Sequence, residues 1–354
     1  MNPGTVHVVV PEGIDDPTRP SGGNTYDRRV CQALASAGWS VRVREVAGAW
    51  PCAGETGRRA LDGTLRAVPD GAPVLVDGLV ASTVPEVIGP ASSRLRVVVL
   101  MHMPVGLRAD HQSALAAESE VLRSVSSVVT TSTWSRRWLL ASYALDPARV
   151  HVAHPGVDAA PPATGSRNGG ALLCVGAVTP GKGQDLLLTA LTRVAGLSWR
   201  CTCVGALSLA PDFVARLRRR AHQAGLDERF LLAGPRTGPA LAAAYAEADV
   251  LVLASRAETY GMVVTEALAR ALPVIATEVG GVPEALGTAD AGRRPGLLTP
   301  AGDATALTKT LRLWLSDPDL RGALRQAALE RRAALADWAE TGDRVARVLA
   351  EVAA

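Results

Sequence analysis

Short, almost unbroken apolar runs recur along this chain, and each is followed by residues at helical spacing. VHVVV (Val6 to Val10), SVRVREV, PVLVDGL, LRVVVLMH and SSVVTTS mark the first part. After AAPPATGSRNGG (Ala159 to Gly170) the alternation restarts with ALLCVGAV, WRCTCVGA, RFLLAG, DVLVLAS and PVIATE. Strands that are apolar on both faces belong in a parallel sheet covered by helices on either side. Between the strands Tyr26, Val30 and Leu34 repeat every four residues, and Gly38 stands where that helix should stop. The 354 residues are about twice a typical ~150-residue domain. The expectation is an α/β protein of two doubly wound Rossmann-like domains, with the carboxyl ends of their parallel strands facing a central cleft. Residues 1–158 form the first domain, 159–170 a linker, 171–336 the second domain, and 337–354 a helix that crosses back to the first.

Charge narrows the partners. Thirty-seven basic against 34 acidic residues leave +3, and aromatics make up 4% of the chain, so nucleic acid is not an expected partner. The run Arg216, Arg218, Arg219 and Arg220 reads as a solvated helix face. Five unevenly spaced cysteines fit reduced thiols and a cytoplasmic protein, and no histidine is placed to complete a metal site with them. Neither a signal peptide nor an apolar run of the ~18 residues that cross a bilayer is expected. Asp317-Pro318-Asp319 superficially matches a metal-binding DxD, but Asp before a first-turn proline is an ordinary N-cap, and it is rejected as a metal site.

Four places can carry chemistry. Strand 1 leads into Ser21, Gly22 and Gly23 and then a helix, where bare amides suit a phosphate or a sugar oxygen, although such a pair also serves as a plain turn. In the second domain LLCVG runs into AVTPGKGQDLLLTAL, with Gly176, Gly181 and Gly183 allowing close approach. Lys182 stands there just before a helix, as a point-charge partner for a diphosphate or as an exposed loop lysine. The richest stretch is SRAETYGMVVTEALARALPVIATEVGGVPEAL, Ser255 to Leu286. Glu258 falls in the loop after a strand, and Glu266 in the first turns of a helix expected from Thr265. A carboxylate can hold both hydroxyls of a vicinal diol, so two carboxylates at this separation can hold two sugars. Between them the amides of Gly261, Met262 and Val263 suit an anion. His102 closes the strand RVVVLM at its carboxyl end, as a cleft residue or as a packed structural histidine.

The Ser255 to Leu286 segment resembles the Glu, seven residues, Glu signature of the retaining glycosyltransferase family four, of GT-B fold. MHMP, HPGVD, VGAVTPGKG, GLLTPAGD and the final helix with Trp338 support the resemblance, which covers essentially the whole chain. It implies an N-terminal acceptor domain and a C-terminal nucleotide-sugar donor domain. It implies that Glu258 binds donor hexose hydroxyls and Glu266 the ribose hydroxyls. Lys182 is implied on the diphosphate, Gly22 and Gly23 on the diphosphate and acceptor side, and His102 beside the transferred sugar. Arg256, Tyr260, Gly261, Met262 and Val263 complete the implied donor set. The reaction implied is hexose transfer with retention from a nucleotide diphosphate sugar, UDP-sugar before GDP-sugar, by a front-face mechanism without metal or other cofactor. One position departs from the family: Ala177 stands where an arginine is usual. Arg256 or another basic residue then has to substitute, or diphosphate binding is weaker. The acceptor is open, with a small molecule preferred to a lipid.

Two other readings share this architecture. An epimerase acting on UDP-N-acetylhexosamine needs acid and base carboxylates in the first domain, for which Glu45, Glu86, Glu118 and Glu120 are available. A non-catalytic nucleotide-sugar-binding module is the reading that Ala177 makes thinkable.

Overall fold

A computed structural model of the chain describes residues 4–107, 112–289 and 292–353. These divide into two compact units, one of residues 4–15, 22–156 and 336–353, the other of residues 16–21 and 157–335.

The first unit begins β1 (Thr5–Pro11), α1 (Gly22–Ser36), β2 (Ser40–Val46), α2 (Gly54–Arg66), β3 (Pro73–Asp77) and α3 (Gly78–Ala81). It continues α4 (Pro85–Ser92), β4 (Arg96–Met101), α5 (Gln112–Ser124), β5 (Ser127–Thr130), α6 (Thr133–Tyr143) and β6 (Val150–Val152). Its sheet is parallel throughout, in the order β2-β1-β3-β4-β5-β6. Val8, Leu75 and Val98 share one row of the register, and all three are buried. The neighbouring row Val9, Val76 and Val99 packs with Leu61, Leu65, Ile88 and Leu122 on the opposite face. Each such side chain removed from water contributes about 1.5–3 kcal/mol, which is why these strands read as apolar on both faces.

The second unit runs β7 (Ala171–Val175), α7 (Gln184–Thr192), β8 (Arg200–Val204), α8 (Pro211–Gln223), β9 (Phe230–Gly234), α9 (Gly238–Ala246) and β10 (Val250–Leu253). It ends with α10 (Met262–Leu268), β11 (Val274–Thr277), α11 (Val282–Leu286), β12 (Gly296–Thr299), α12 (Ala304–Ser316) and α13 (Pro318–Arg332). Its sheet, again parallel, has the order β12-β11-β10-β7-β8-β9. Leu172, Cys174, Val250 and Val252 enter one apolar layer, while Leu173, Leu251 and Leu253 enter the other. Asp303 caps α12 through Thr305 and Ala306, and Asp317 caps α13 through Leu320 with Pro318 in the first turn. All five cysteines are free thiols.

The last helix, α14 (Trp338–Ala353), packs on α1 within the first unit. Gly342 lies against Ala33, the Thr341 hydroxyl donates to the His154 carbonyl, and Arg344 bonds the His154 ring at 2.9 Å. Among the described residues no helix is long and apolar enough to cross a membrane.

Three details differ from the sequence expectation. Gly22 and Gly23 are not a loop before α1 but its first turn, where free amides are tolerated and small residues permit close packing. The helix expected from Thr265 begins at Met262, because Gly261 at φ 91° turns the chain straight into it. The stretch 159–170 has no regular structure but is laid firmly on the second unit. Ala163 is buried, Thr164 and Gly165 donate to the Ala246 carbonyl, and Ser166 bonds Asp249 through backbone and side chain. Backbone partners, which composition does not disclose, hold it there.

Candidate functional site

In an open parallel sheet, ligands bind beyond the carboxyl ends of the strands, where the order of strands reverses and consecutive loops part. In the second unit that point lies between β7, whose chain continues to β8 on one side, and β10 on the other. The loops leaving these two strands carry Lys182 and Glu258. The Lys182 Nζ to Glu258 Oε1 distance is 2.6 Å, and Ser255 Oγ donates to the same oxygen at 2.8 Å. Glu258 is nearly buried, whereas about a third of the Lys182 side chain meets solvent. A carboxylate fixed by two donors and a partly exposed ammonium are thus presented together at the sheet edge.

The loop backbones explain this placement. Gly183 has φ 69°, and a Cβ there would run into the Ala254 carbonyl at the end of β10. Gly205 similarly has no room for a side chain beneath the Gly176 carbonyl. Under the Glu258 loop lies the pair Gly280-Gly281. Gly281 N donates to the Glu258 carbonyl at 3.1 Å, and a Cβ on either glycine would collide with backbone of residues 258 to 260. The second glycine pair of the Ser255 to Leu286 segment therefore supports the glutamate from below.

Arg256 braces the lysine loop. Its guanidinium makes a bidentate pair with Asp185 at 2.8 and 2.9 Å and reaches the Pro180 carbonyl, while its amide donates to Gly181. Arg256 therefore secures Lys182 from outside, and in this arrangement it is not the arginine substitute that Ala177 calls for. The Ala177 carbonyl takes a bond from Gln184 Nε2, whose Oε1 is buried with no partner among the described residues.

Gly261, Met262 and Val263 form the turn into α10, with Tyr260 buried before it. Glu266 is on α10, half-buried, and accepts the Tyr245 hydroxyl of α9 at 2.7 Å. Burial raises the Glu266 carboxyl above its ordinary value, while the Tyr245 bond and the Arg270 charge oppose the rise. Arg270 lies 4.6 Å from the Tyr245 ring centre. Sequence reasoning missed Ser255 and Tyr245. Ser255 stands three residues before Glu258 and was findable, but Tyr245, in the alanine-rich α9, gives no signal without the fold.

In the first unit the strand order reverses between β1 and β3. His102 follows β4, two strands from β1, and Gly23 of α1 lies against its ring, close enough that a Cβ would sit 3.3 Å from Cδ2. Gly23 thus belongs beside His102, with Gly22 one residue before it at the start of α1. Two residues absent from the sequence reading stand behind it: Asp27 of α1 and Asp77, the last residue of β3. Asp27 Oδ1 lies 2.6 Å from His102 Nε2. Burial by itself lowers the basicity of His102, but the charge and hydrogen bond of Asp27, with Asp77, lift it to about 9. Burial and the Asp27 charge push the Asp77 carboxyl up to about 7.

The carboxylates that an epimerase reading needs are bound elsewhere. Glu118 is fully buried, accepts the amides of Val105 and Gly106 and the Tyr143 hydroxyl. Glu45 takes the Gly13 amide and Glu86 pairs with Arg58. Glu120 is exposed.

Two doubly wound parallel sheets with these strand orders have the GT-B fold, and solved structures agree. HepE of Anabaena in complex with UDP and glucose superimposes with a TM-score of 0.79 at 18% identity, covering 98% of this chain and 99% of that one. Sucrose-phosphate synthase of Thermosynechococcus elongatus gives 0.76 at 21% identity, over 97% and 98%. Residues 163–331, most of the second unit, match the family described as glycosyl transferases group 1. The chain is also similar to D-inositol 3-phosphate glycosyltransferases. It is 32% identical over 255 residues to one from Catenulispora acidiphila, which is 66% of this chain and 59% of that protein. It is 30% identical over 276 residues to one from Salinispora arenicola, 71% and 60%. The matches thus span about three fifths of the relatives' own length.

Proposed function

We propose that the chain is a retaining glycosyltransferase that moves a hexose from a nucleotide diphosphate sugar to an acceptor hydroxyl. The observation that carries this reading is the pairing of Lys182 with Glu258 across the β7/β10 switch point, with Glu266 in the second turn of α10, the helix that follows the Glu258 loop. A nucleotide sugar offers hexose, diphosphate and ribose in that order. Glu258 meets the hexose hydroxyls, Lys182 the diphosphate and Glu266 the ribose. As the glycosidic bond lengthens, negative charge grows on the diphosphate, and a prepositioned ammonium stabilises it more in the transition state than in the ground state. The acceptor attacks from the face that the leaving group vacates, and the leaving phosphate takes the acceptor proton. No side-chain nucleophile is then required, nor a metal, and transfer should persist in EDTA. A UDP-sugar is the preferred donor, in line with the UDP and glucose bound by the Anabaena relative in fold. The acceptor class is a small soluble polyol, and the relatives' names make inositol 3-phosphate the first to assay. On this reading the reaction belongs in the cytoplasm, in keeping with the free cysteines.

The test is a thermal-shift panel of UDP-, GDP-, ADP- and dTDP-sugars. One nucleotide series at about 100 times its Kd should stabilise the wild type by about 2.7 kcal/mol, raising Tm by roughly 5–10 °C. Glu266→Ala should abolish that shift, because it removes the ribose contact. Glu258→Ala should keep nucleotide binding and lose transfer. The reverse split between the two variants, or no shift with any series, would sink the reading.

Tyr245→Phe separates a positioning role from a structural one. It removes only the hydroxyl that aims Glu266. KM for the donor should rise about 5–10-fold, as expected for one lost hydrogen bond of ~1–1.5 kcal/mol, with kcat nearly unchanged. An unchanged KM would show that Tyr245 does not orient Glu266.

A further inference from the structure

Asp27, Asp77 and His102 come from three different elements, α1, β3 and the end of β4, and their nearest ligating atoms all lie within 4.8 Å of one another. Asp27 and Asp77 are 1% and 4% exposed, and the His102 side chain 16%. Placing two ionised carboxylates this close, away from water, is strongly unfavourable, and a proton between them removes the repulsion.

Three of the four carboxylate oxygens have defined surroundings. Asp27 Oδ1 faces His102 Nε2 at 2.6 Å. Asp77 Oδ1 accepts the Leu79 amide at 2.7 Å, the N-cap bond of α3. Asp27 Oδ2 is fully buried and receives no bond from any N–H or hydroxyl among the described residues. Asp77 and Asp27 are within side-chain hydrogen-bonding reach of each other, and two carboxyls can bond only if one of them carries a hydrogen. An acid proton on Asp77 satisfies the orphaned oxygen and leaves Asp27 ionised toward the imidazole.

We propose that Asp27 and Asp77 are positioning residues that share one proton behind His102, with Asp77 donating to Asp27 Oδ2 and Asp27 receiving Nε2–H. The imidazole is then a fixed donor whose remaining nitrogen, Nδ1, is the one available to a sugar or acceptor oxygen. Gly23 against the ring and the Tyr26 ring edge-on at 5.1 Å prevent it from turning. The other titratable groups around the cluster are Tyr26 and Cys31 of α1 and Arg344 of α14. Tyr26 is committed to the Ala153 carbonyl and Arg344 to His154 and Glu340. The upward shifts of His102 and Asp77 agree with this arrangement. The role at the sugar rests on the proposed glycosyl transfer, while the shared proton does not.

The two parts are separated by following the ring of His102 by NMR in the full chain labelled at histidine nitrogen, alongside transfer assays. His102→Gln identifies the signal among the six histidines. The wild-type ring should remain protonated at pH 8. Asp77→Asn supplies a permanent N–H to Asp27 and an oxygen to Leu79, so it should leave the ring protonated and transfer within about threefold. Asp77→Ala should lower both. Asp27→Asn removes the charge, and the ring should titrate at or below the ordinary ~6.5, with transfer down by about 100-fold. A wild-type ring titrating near 6.5 would overturn the shared proton, as would an Asp77→Asn variant no better than Asp77→Ala. Selective broadening of the His102 signal by Mn²⁺ would assign the cluster to a cation instead. If the wild type transfers no sugar, the functional reading fails, and the titrations still decide the proton.

Discussion

Lys182→Met should lower kcat/KM for sugar transfer by about 10²–10³-fold, the usual effect of deleting one prepositioned donor to a developing anion. Methionine is unbranched and one heavy atom shorter than lysine, so it keeps most of the apolar stem that lies over Gly176 while removing the charge. Ala177 makes the effect larger than in a site that also holds an arginine, because Arg256 is committed to Asp185 and cannot take over. The loss should fall mostly on kcat, since leaving-group charge develops in the transition state. Lys182→Arg should recover little, because the bulkier planar guanidinium spreads its charge over a fork and does not reproduce the compact ammonium beside Glu258 Oε1. Steady-state kinetics on the three proteins decide the matter. A Lys182→Met enzyme within tenfold of wild type would remove the lysine from the diphosphate.

The functional elements were unevenly legible in the sequence. Both sheets could be read because parallel strands buried on two faces leave continuous apolar runs, as in VHVVV and DVLVLAS. Glu258 and Lys182 were visible because each stands at a strand-to-helix passage, where local composition changes sharply, and Glu266 because of its spacing from Glu258. Helix starts were misplaced where glycine enters the helix or turns directly into it, as at Gly22 and Gly261, since a glycine reads as a breaker until its φ is known. Asp77 could have been found by the rule that found His102, as both end a strand. Asp27 lies beside the Tyr26, Val30 and Leu34 stripe, and a carboxylate next to a core face is a signal of its own. Their meeting with His102, and that of Tyr245 with Glu266, depends on strand order, which local pattern does not encode.

Gly280→Ala tests whether the second glycine pair holds the Glu258 loop. The residue has φ 54°, where any side chain is unfavourable by about 1–2 kcal/mol, and its Cβ would overlap the Glu258 carbonyl oxygen. That atom is backbone, so it cannot swing aside as a flexible side chain does; the loop itself must move, straining the Gly281 to Glu258 bond. Overpacking of this kind adds about 1–3 kcal/mol, for a total destabilisation of roughly 2–5 kcal/mol. A displacement of about 1 Å at Glu258 can itself lower transfer by about 100-fold. Gly302→Ala separates the two contributions: Gly302 has φ 72° but open space around its Cβ position, so it should show the conformational penalty alone and keep full activity. Equal losses of stability in the two variants, measured by urea unfolding, would mean that the close approach at Gly280 is absorbed elsewhere. A Gly280→Ala protein with normal transfer would show that Glu258 does not depend on this support.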